Sequence, residues 1–299
     1  LMNIIETKNL TKVFDNNSAV KKLNLKIPKG EISGLLGPNG SGKTTTLRLL
    51  LGLAKPSDGN IEIFGLNLFK KKSTILNKVG ALIDSPAFYE HLTAYDNLRI
   101  MQLTHNIPKE RIDEVLKIVE LHNDANKKVK DFSLGMKQRL GIAIALINDP
   151  ELLILDEPTN GLDPSGIIKM RNLLSSLSHD KGITIIISSH NLYEIEQMCN
   201  YVCLIQNGDL LYQGEINSLF EEYSSNELCI KTNNNKLAAE LIDEHDNHLT
   251  DEKLLMNVNY KEVPNIVNRL VENDLLVYEV MYEKETLEDI FLQLTNNKE

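Results

Sequence analysis

No apolar stretch of this 299-residue chain is long enough to cross a bilayer. The longest such runs, at 142–147 and 183–187, fall far below the ~18 residues a spanning helix needs, so the chain does not cross a membrane alone. Positive charge is short as well: 32 Lys and Arg face 42 Asp and Glu, a formal net charge of -10. That balance argues against a general nucleic-acid binder, which needs basic side chains to neutralise phosphates, so a phosphate ligand has to be held by local features. Cysteine is scarce. Cys199, Cys203 and Cys229 form no C-x-x-C pair and no metal spacing with histidine, and they read as buried thiols in a reducing cytosol. Sixteen glycines and nine prolines are unexceptional and remove collagen-like and wholly disordered classes. No basic stretch leads into an apolar core near the N-terminus, so no secretion signal is expected, and Leu1 ahead of Met2 reads as a remnant.

What is present suits about two domains of ~150 residues, with 42% hydrophobic residues to build their cores. Up to about residue 212, β-rich runs at 3–10, 24–27, 32–36, 60–63, 79–83, 152–155, 183–188 and 201–205 alternate with helical periodicity at 44–53, 111–119, 136–147, 166–178 and 192–198. Several strands are continuously apolar, which predicts an α/β fold with a parallel sheet covered on both faces. A mostly helical stretch at about 86–150 reads as an inserted subdomain. Residues 215–227 read as a linker, and 228–299 as a small α+β domain whose β/α order suggests a ferredoxin-like arrangement.

The strongest motif is Gly37-Pro-Asn-Gly-Ser-Gly-Lys-Thr-Thr45, which satisfies G-x-x-x-x-G-K-[ST] between an apolar strand and a helical run. Its glycines allow positive φ, so that backbone N–H groups can surround phosphates in front of a helix N-terminus. Asn39, Gly40, Ser41, Gly42, Lys43, Thr44 and Thr45 are the candidate ATP contacts. Lys43 should reach the β- and γ-phosphates, and the Thr44 hydroxyl should ligate Mg²⁺. Residues 152–158, LLILDEP, place two carboxylates at the end of a buried strand, the sheet edge where such folds bind ligands. Asp156 is positioned to hold Mg²⁺ through its water shell, and Glu157 to polarise the attacking water as general base.

Between and after these elements lie residues 132–140, FSLGMKQRL, then 161–164, GLDP, and His190 after a strand. This ordered set resembles the ATP-binding subunits of ABC transporters over nearly all of residues 3–214, which implies a P-loop NTPase cassette at 2–214. FSLGM resembles the LSGGQ signature, and the resemblance implies that Ser133 and Gly135 contact the γ-phosphate of ATP held by an opposite cassette. It further implies that Asp163 orders that interface, that His190 touches the γ-phosphate, and that Phe14 stands where an adenine-stacking tyrosine is usual. A phenyl face stacks as well.

Three positions depart from the family pattern: Leu134 for the first signature glycine, Met136 for glutamine, and Asp84 for the Q-loop glutamine. A carboxylate at 84 can still meet Mg²⁺ or its water, while adding a negative charge beside ATP. Asp84, SLGM and PAFYEHLTAYDNL resemble the subgroup that exports bacitracin and lantibiotics. The resemblance implies an Mg²⁺-dependent ATPase that pairs head to tail with a second cassette, as a homodimer or heterodimer, and drives a separate transmembrane permease, with no nucleic-acid partner. It would sit in the cytoplasm, peripheral to the inner face of the membrane. Phe88, Tyr89 and Leu92, beside His91, offer apolar contacts for the permease, with core packing an equal alternative. A soluble ABC ATPase acting on ribosomes or DNA, an importer ATPase and a noncatalytic binding module are the rival readings. One cassette without long heptads weakens the first, and Lys43, Asp156, Glu157 and His190 together weaken the last.

Overall fold

The computed structural model describes residues 2–15, 17–84, 88–223, 227–242, 247–250, 253–282 and 285–296. Two compact units emerge, one up to Asn217 and one over Ser218–Asn296.

In the first unit the strands and helices run β1 (Asn3–Phe14), β2 (Asn17–Leu23), β3 (Lys26–Pro28), β4 (Ile32–Leu36), α1 (Lys43–Leu50), β5 (Asp58–Ile63), β6 (Leu66–Asn67), α2 (Lys72–Leu76) and β7 (Val79–Leu82). They continue with α3 (Ala94–His105), α4 (Glu110–Ile118), α5 (Leu134–Leu146), β8 (Leu152–Asp156), α6 (Pro164–His179), β9 (Thr184–Ser189), α7 (Leu192–Glu196), β10 (Tyr201–Gln206) and β11 (Asp209–Glu215). The continuously apolar runs become the middle of a six-stranded sheet, ordered β11-β10-β4-β9-β8-β7. Its pairings are parallel except β10 with β11. Every residue of β4 and β9 is buried, as is β8 up to Asp156, so both faces are covered.

The N-terminal strands form a separate antiparallel sheet, β2-β1-β5-β6 with β3 also on β1. The sequence reading stopped the first strand at residue 10 and missed β2. Asn9 and Lys22 adopt positive φ and the β1–β2 register shifts beyond Leu10, so alternation breaks while pairing continues to Phe14. The inserted stretch carries α3, α4 and α5 in mutual contact. Thr93 and Ser133 cap α3 and α5 through their hydroxyls. The start of the predicted subdomain, with Pro86, lies outside the described residues.

The stretch read as a linker carries helix α8 (Ile216–Tyr223), and the division between units falls at its first turn. The second unit continues β12 (Glu227–Thr232), α9 (Asn235–Leu241), β13 (Asn247–Leu249), β14 (Leu254–Asn257), α10 (Val263–Glu272), β15 (Val277–Tyr282) and α11 (Leu287–Asn296). Its sheet is ordered β13-β14-β12-β15 with every pairing antiparallel, the βαββαβ arrangement of a ferredoxin-like unit. Leu228, Ile230, Leu254 and Met256 of the sheet pack there against Ala238, Ile266 and Leu270 of α9 and α10.

Cys199, Cys203 and Cys229 are buried. Burial raises the Cys199 thiol well above its ordinary value and pushes Cys203 up to about 12. No helix among the described residues is long and apolar enough to cross a membrane.

Candidate active site

Three adjacent parallel strands deliver the chemistry to one sheet edge. Leu36 of β4 pairs with Ser189 of β9, and Ser188 pairs with Asp156 of β8. The residues that follow these strands, Gly37, Glu157 and His190, therefore emerge side by side.

The loop from Gly37 to Gly42 curls because its glycines take φ values that side chains disfavour: 154° at Gly37, 81° at Gly40 and 106° at Gly42. A Cβ on Gly37 would lie 2.0 Å from the Ile205 carbonyl oxygen, and one on Gly42 would lie 2.4 Å from that of Ala19. The loop is thus wedged between β10 and the β1–β2 hairpin. Asn39 and Gly40 are exposed at its crest, Thr44 and Thr45 are half-buried, and Ser41 is buried with its hydroxyl unpartnered among the described residues. No side chain caps α1, which leaves its first amides open to an anion. Lys43, 5% exposed, donates to the carbonyls of Gly37 (2.7 Å) and Pro38 (3.1 Å). Burial lowers its pKa, and the charges of Glu157 and Asp156 oppose that shift, so the ammonium and both carboxylates share one field.

Glu157 sits at φ 46°, left-handed for a non-glycine residue. Its amide donates to the carbonyl (3.2 Å) and hydroxyl (3.0 Å) of Ser188. The same Ser188 hydroxyl donates to Asp156 Oδ1. One Glu157 oxygen lies 3.0 Å from His190 Nδ1 and the other accepts from Asn160 Nδ2 at 3.1 Å. Beside these groups is a cleft of about 180 Å³, which the turn 159–162 separates from a larger one of about 420 Å³. The larger cleft gathers Ser133, Gly135 and Asp163 with Arg139 and Lys169. Ser133 caps α5 through Met136 N, and Asp163 caps α6 through Gly166 N. Leu134, which departs from the family pattern, is the side chain nearest Gly161, 2.9 Å from where a Cβ would stand.

Phe14 is 49% exposed at the end of β1, with the Lys12 ammonium 4.7 Å from its ring centre. Asp84 is not drawn into the Lys43–Asp156–Glu157 cluster; at φ 57° it pairs with Arg48 of α1 at 2.7 Å. Sequence reasoning missed Ser188, Asn160 and Arg48. Ser188 and Ser189 close the apolar run at 183–187, and a hydroxyl at a ligand-facing strand end was the available signal. Neither Asn160 nor Arg48 sits in a motif that singles it out.

Residues 20–160 match the family described as ABC transporter. The bacitracin transport ATP-binding protein BcrA of Enterococcus faecalis is 42% identical over 300 residues, covering 97% of this chain and 96% of that protein. Among solved structures, cbiO1 from Clostridium perfringens, part of the ABC transporter complex cbiONQ, superposes with a TM-score of 0.68 at 29% identity. That match covers 74% of this chain and 91% of cbiO1. The cassette MJ0796, in a dimeric post-hydrolysis state bound to ADP and Pi, gives 0.64 at 28% identity, covering 71% of this chain and 98% of its own. With its phosphate loop, paired carboxylates and histidine on one sheet edge, this chain belongs to the ABC transporter family as an ATP-binding, ATP-hydrolysing subunit.

Proposed function

We propose that this subunit, with Mg²⁺, closes head to tail with a second cassette around two ATP molecules and drives a separate permease that exports a peptide antibiotic. The observation that carries the reading is the near full-length likeness to BcrA, whose name ties that protein to bacitracin. The dimeric state of MJ0796 supports a paired cassette.

In the loop, the uncapped start of α1, the exposed Asn39–Gly40 crest and the orphaned Ser41 hydroxyl suit a triphosphate surrounded by backbone amides. Gly42, Thr44 and Thr45 complete the contacts, and Lys43 turns from the loop carbonyls to the β- and γ-phosphates. Phe14 offers its exposed ring to the adenine. Mg²⁺ suits the donor set, because Thr44 and Asp156 are hard oxygen ligands and the described residues hold no three-residue His, Cys, Asp or Glu cluster that would bind a metal without the nucleotide. When bound, the ion neutralises charge on the phosphate oxygens. Asp84 adds a carboxylate at the margin of this set. Glu157 accepts the proton of the attacking water, and His190, fixed by its bond to Glu157, faces the γ-phosphate. Ser133, Gly135 and Asp163, gathered at one cleft, serve the partner cassette's nucleotide.

Tyr89, 54% exposed, is pinned at its backbone by Asn97 and offers an apolar contact to the permease at the inner membrane face, with Phe88 and Leu92 half-buried beside it. The cassette at 2–214 carries the motor in this reading, and 228–299 is an accessory domain.

Glu157→Gln tests the chemistry. ATP binding should persist, hydrolysis should largely stop, and an ATP-bound dimer should accumulate in size-exclusion chromatography. Hydrolysis at the parent rate would remove Glu157 as the base. For the cargo, ATPase activity of the complex copurified with its permease should rise on adding bacitracin, and no response to peptide antibiotics would overturn the export assignment.

A further inference from the structure

Asp84 and Arg48 bring together two segments far apart in sequence. Arg48 lies in the last turn of α1, the helix that begins at Lys43, and Asp84 stands two residues beyond the end of β7. The Arg48 guanidinium meets Asp84 Oδ2 at 2.7 Å, while Oδ1 has no hydrogen-bond partner among the described residues. Asp84 holds a left-handed backbone at φ 57°, which aspartate tolerates better than most residues. Glutamine, the residue the resemblance leads one to expect here, is neutral. A carboxylate instead adds one negative charge near a tetra-anionic nucleotide, and an arginine is the residue suited to cancel it, being charged at every working pH.

The two side chains are 47% and 59% exposed. An ion pair this wet contributes little to folding stability. If Asp84 serves the nucleotide site, the pair's effect falls on ATP binding instead.

We propose that Arg48 is a positioning residue for Asp84: it neutralises the carboxylate and holds one oxygen, so that the other faces the Mg²⁺–ATP site. This rests on the reading of Asp84 as a site residue. In this scheme Arg48 touches neither nucleotide nor metal and acts only through Asp84. The pair replaces one neutral amide by two mutually dependent residues.

The test uses the full chain carrying Glu157→Gln, so that equilibrium binding of a fluorescent ATP analogue is read without turnover, over a series of free Mg²⁺ concentrations and in EDTA. Arg48→Gln should weaken binding in Mg²⁺ by about three- to tenfold and raise the Mg²⁺ concentration for half-saturation. The melting temperature should stay within about one degree of the parent. Arg48→Lys should recover most of the affinity. With Asp84→Gln already present, Arg48→Gln should change nothing. An equal loss in both backgrounds, or none in either, overturns the role of Arg48. Asp84→Gln alone separates the two levels: if it leaves the Mg²⁺ dependence unchanged, the placement of Asp84 in the site is wrong. If it shifts that dependence while the two substitutions act independently, only the positioning role fails.

Discussion

Ser188→Ala probes a hydroxyl that ties the Asp156 carboxylate to the Glu157 backbone. Ser188 is fully buried; its Oγ donates to Asp156 and accepts from the Glu157 amide. A hydrogen bond to a charged partner contributes about 1.5–3 kcal/mol. Two features of the structure move the estimate to the lower end. Asp156 is only half-buried, so its carboxylate regains water, and the Glu157 amide keeps the Ser188 carbonyl at 3.2 Å. A loss of about 1.5 kcal/mol, at 2–4 °C per kcal/mol for a unit of this size, lowers the melting temperature by about 3–6 °C. The functional effect is larger in proportion. Glu157 is held in a left-handed conformation by these bonds, and a displacement of this proposed general base by a fraction of an ångström should lower kcat about tenfold or more. KM for ATP should change little, because Lys43 and its loop are untouched. Differential scanning calorimetry and steady-state ATPase assays read the two effects separately. Ser188→Thr, which keeps the hydroxyl, should recover part of both. A Ser188→Ala protein with the parent melting temperature and the parent kcat would refute the idea that this hydroxyl organises Asp156 and the Glu157 backbone.

Gly37→Ala places a methyl 2.0 Å from the Ile205 carbonyl oxygen at φ 154°, so the loop must shift. Nucleotide affinity should fall at least tenfold by equilibrium titration, and unchanged affinity would mean that the loop geometry is not what binds. Glu151→Gln concerns pH: the hydrogen bond from Lys78, followed by the nearby charges of Lys78 and Lys29, holds the Glu151 pKa below its ordinary value despite some desolvation. The pair's stabilisation is therefore complete above about pH 4.3 and is lost as pH falls through the lowered value. The variant should be less stable at neutral pH by less than about 1 kcal/mol and converge with the parent in acid; a gap that persists in acid would assign the effect to packing.

Continuity of apolar character made the parallel sheet readable. Residues 32–36, 152–155 and 183–188 have no polar face, and a strand buried on both sides needs none. The motif residues then followed from the ends of those strands, because adjacent parallel strands in register put their C-terminal residues on one edge. The β2 strand was hidden for the opposite reason: residues 17–23, NSAVKKL, only two of them buried, carry a weak pattern, and their pairing is decided by the hairpin. Helix α8 lies within the 215–227 stretch that reads as a linker because only two of its early residues, Ile216 and Leu219, are buried, while Glu221 and Glu222 at its end are exposed and polar. Roles carried by a single contact escaped altogether. Arg48 is one of six arginines, outside any motif, until Asp84 is found beside it, and Ser188 is one of two adjacent serines until its hydroxyl is seen between the Asp156 carboxylate and the Glu157 amide.

These contacts also explain how a chain of net charge -10 accommodates a polyanion. The overall charge acts at long range and is screened within about 10 Å at ordinary salt. What the nucleotide meets is set at shorter range, and there each acid has an assigned partner. Asp84 faces Arg48, Asp156 accepts from Ser188, and Glu157 is held between His190 and Asn160. The carboxylates of Glu157 and Asp156 oppose the fall in the Lys43 pKa that burial causes, which favours the charged ammonium at the proposed phosphate site. Removing a carboxylate from this edge therefore has two opposed effects on ATP: it lessens direct repulsion, and it makes Lys43 easier to deprotonate. Near neutral pH the first is expected to dominate, so Glu157→Gln should bind ATP at least as well as the parent. At alkaline pH the second takes over, and the advantage of the variant should shrink as its Lys43 loses its proton before that of the parent. Affinity measured from neutral to alkaline pH separates the two, and a variant whose advantage grows with pH would show that Glu157 and Lys43 are not coupled.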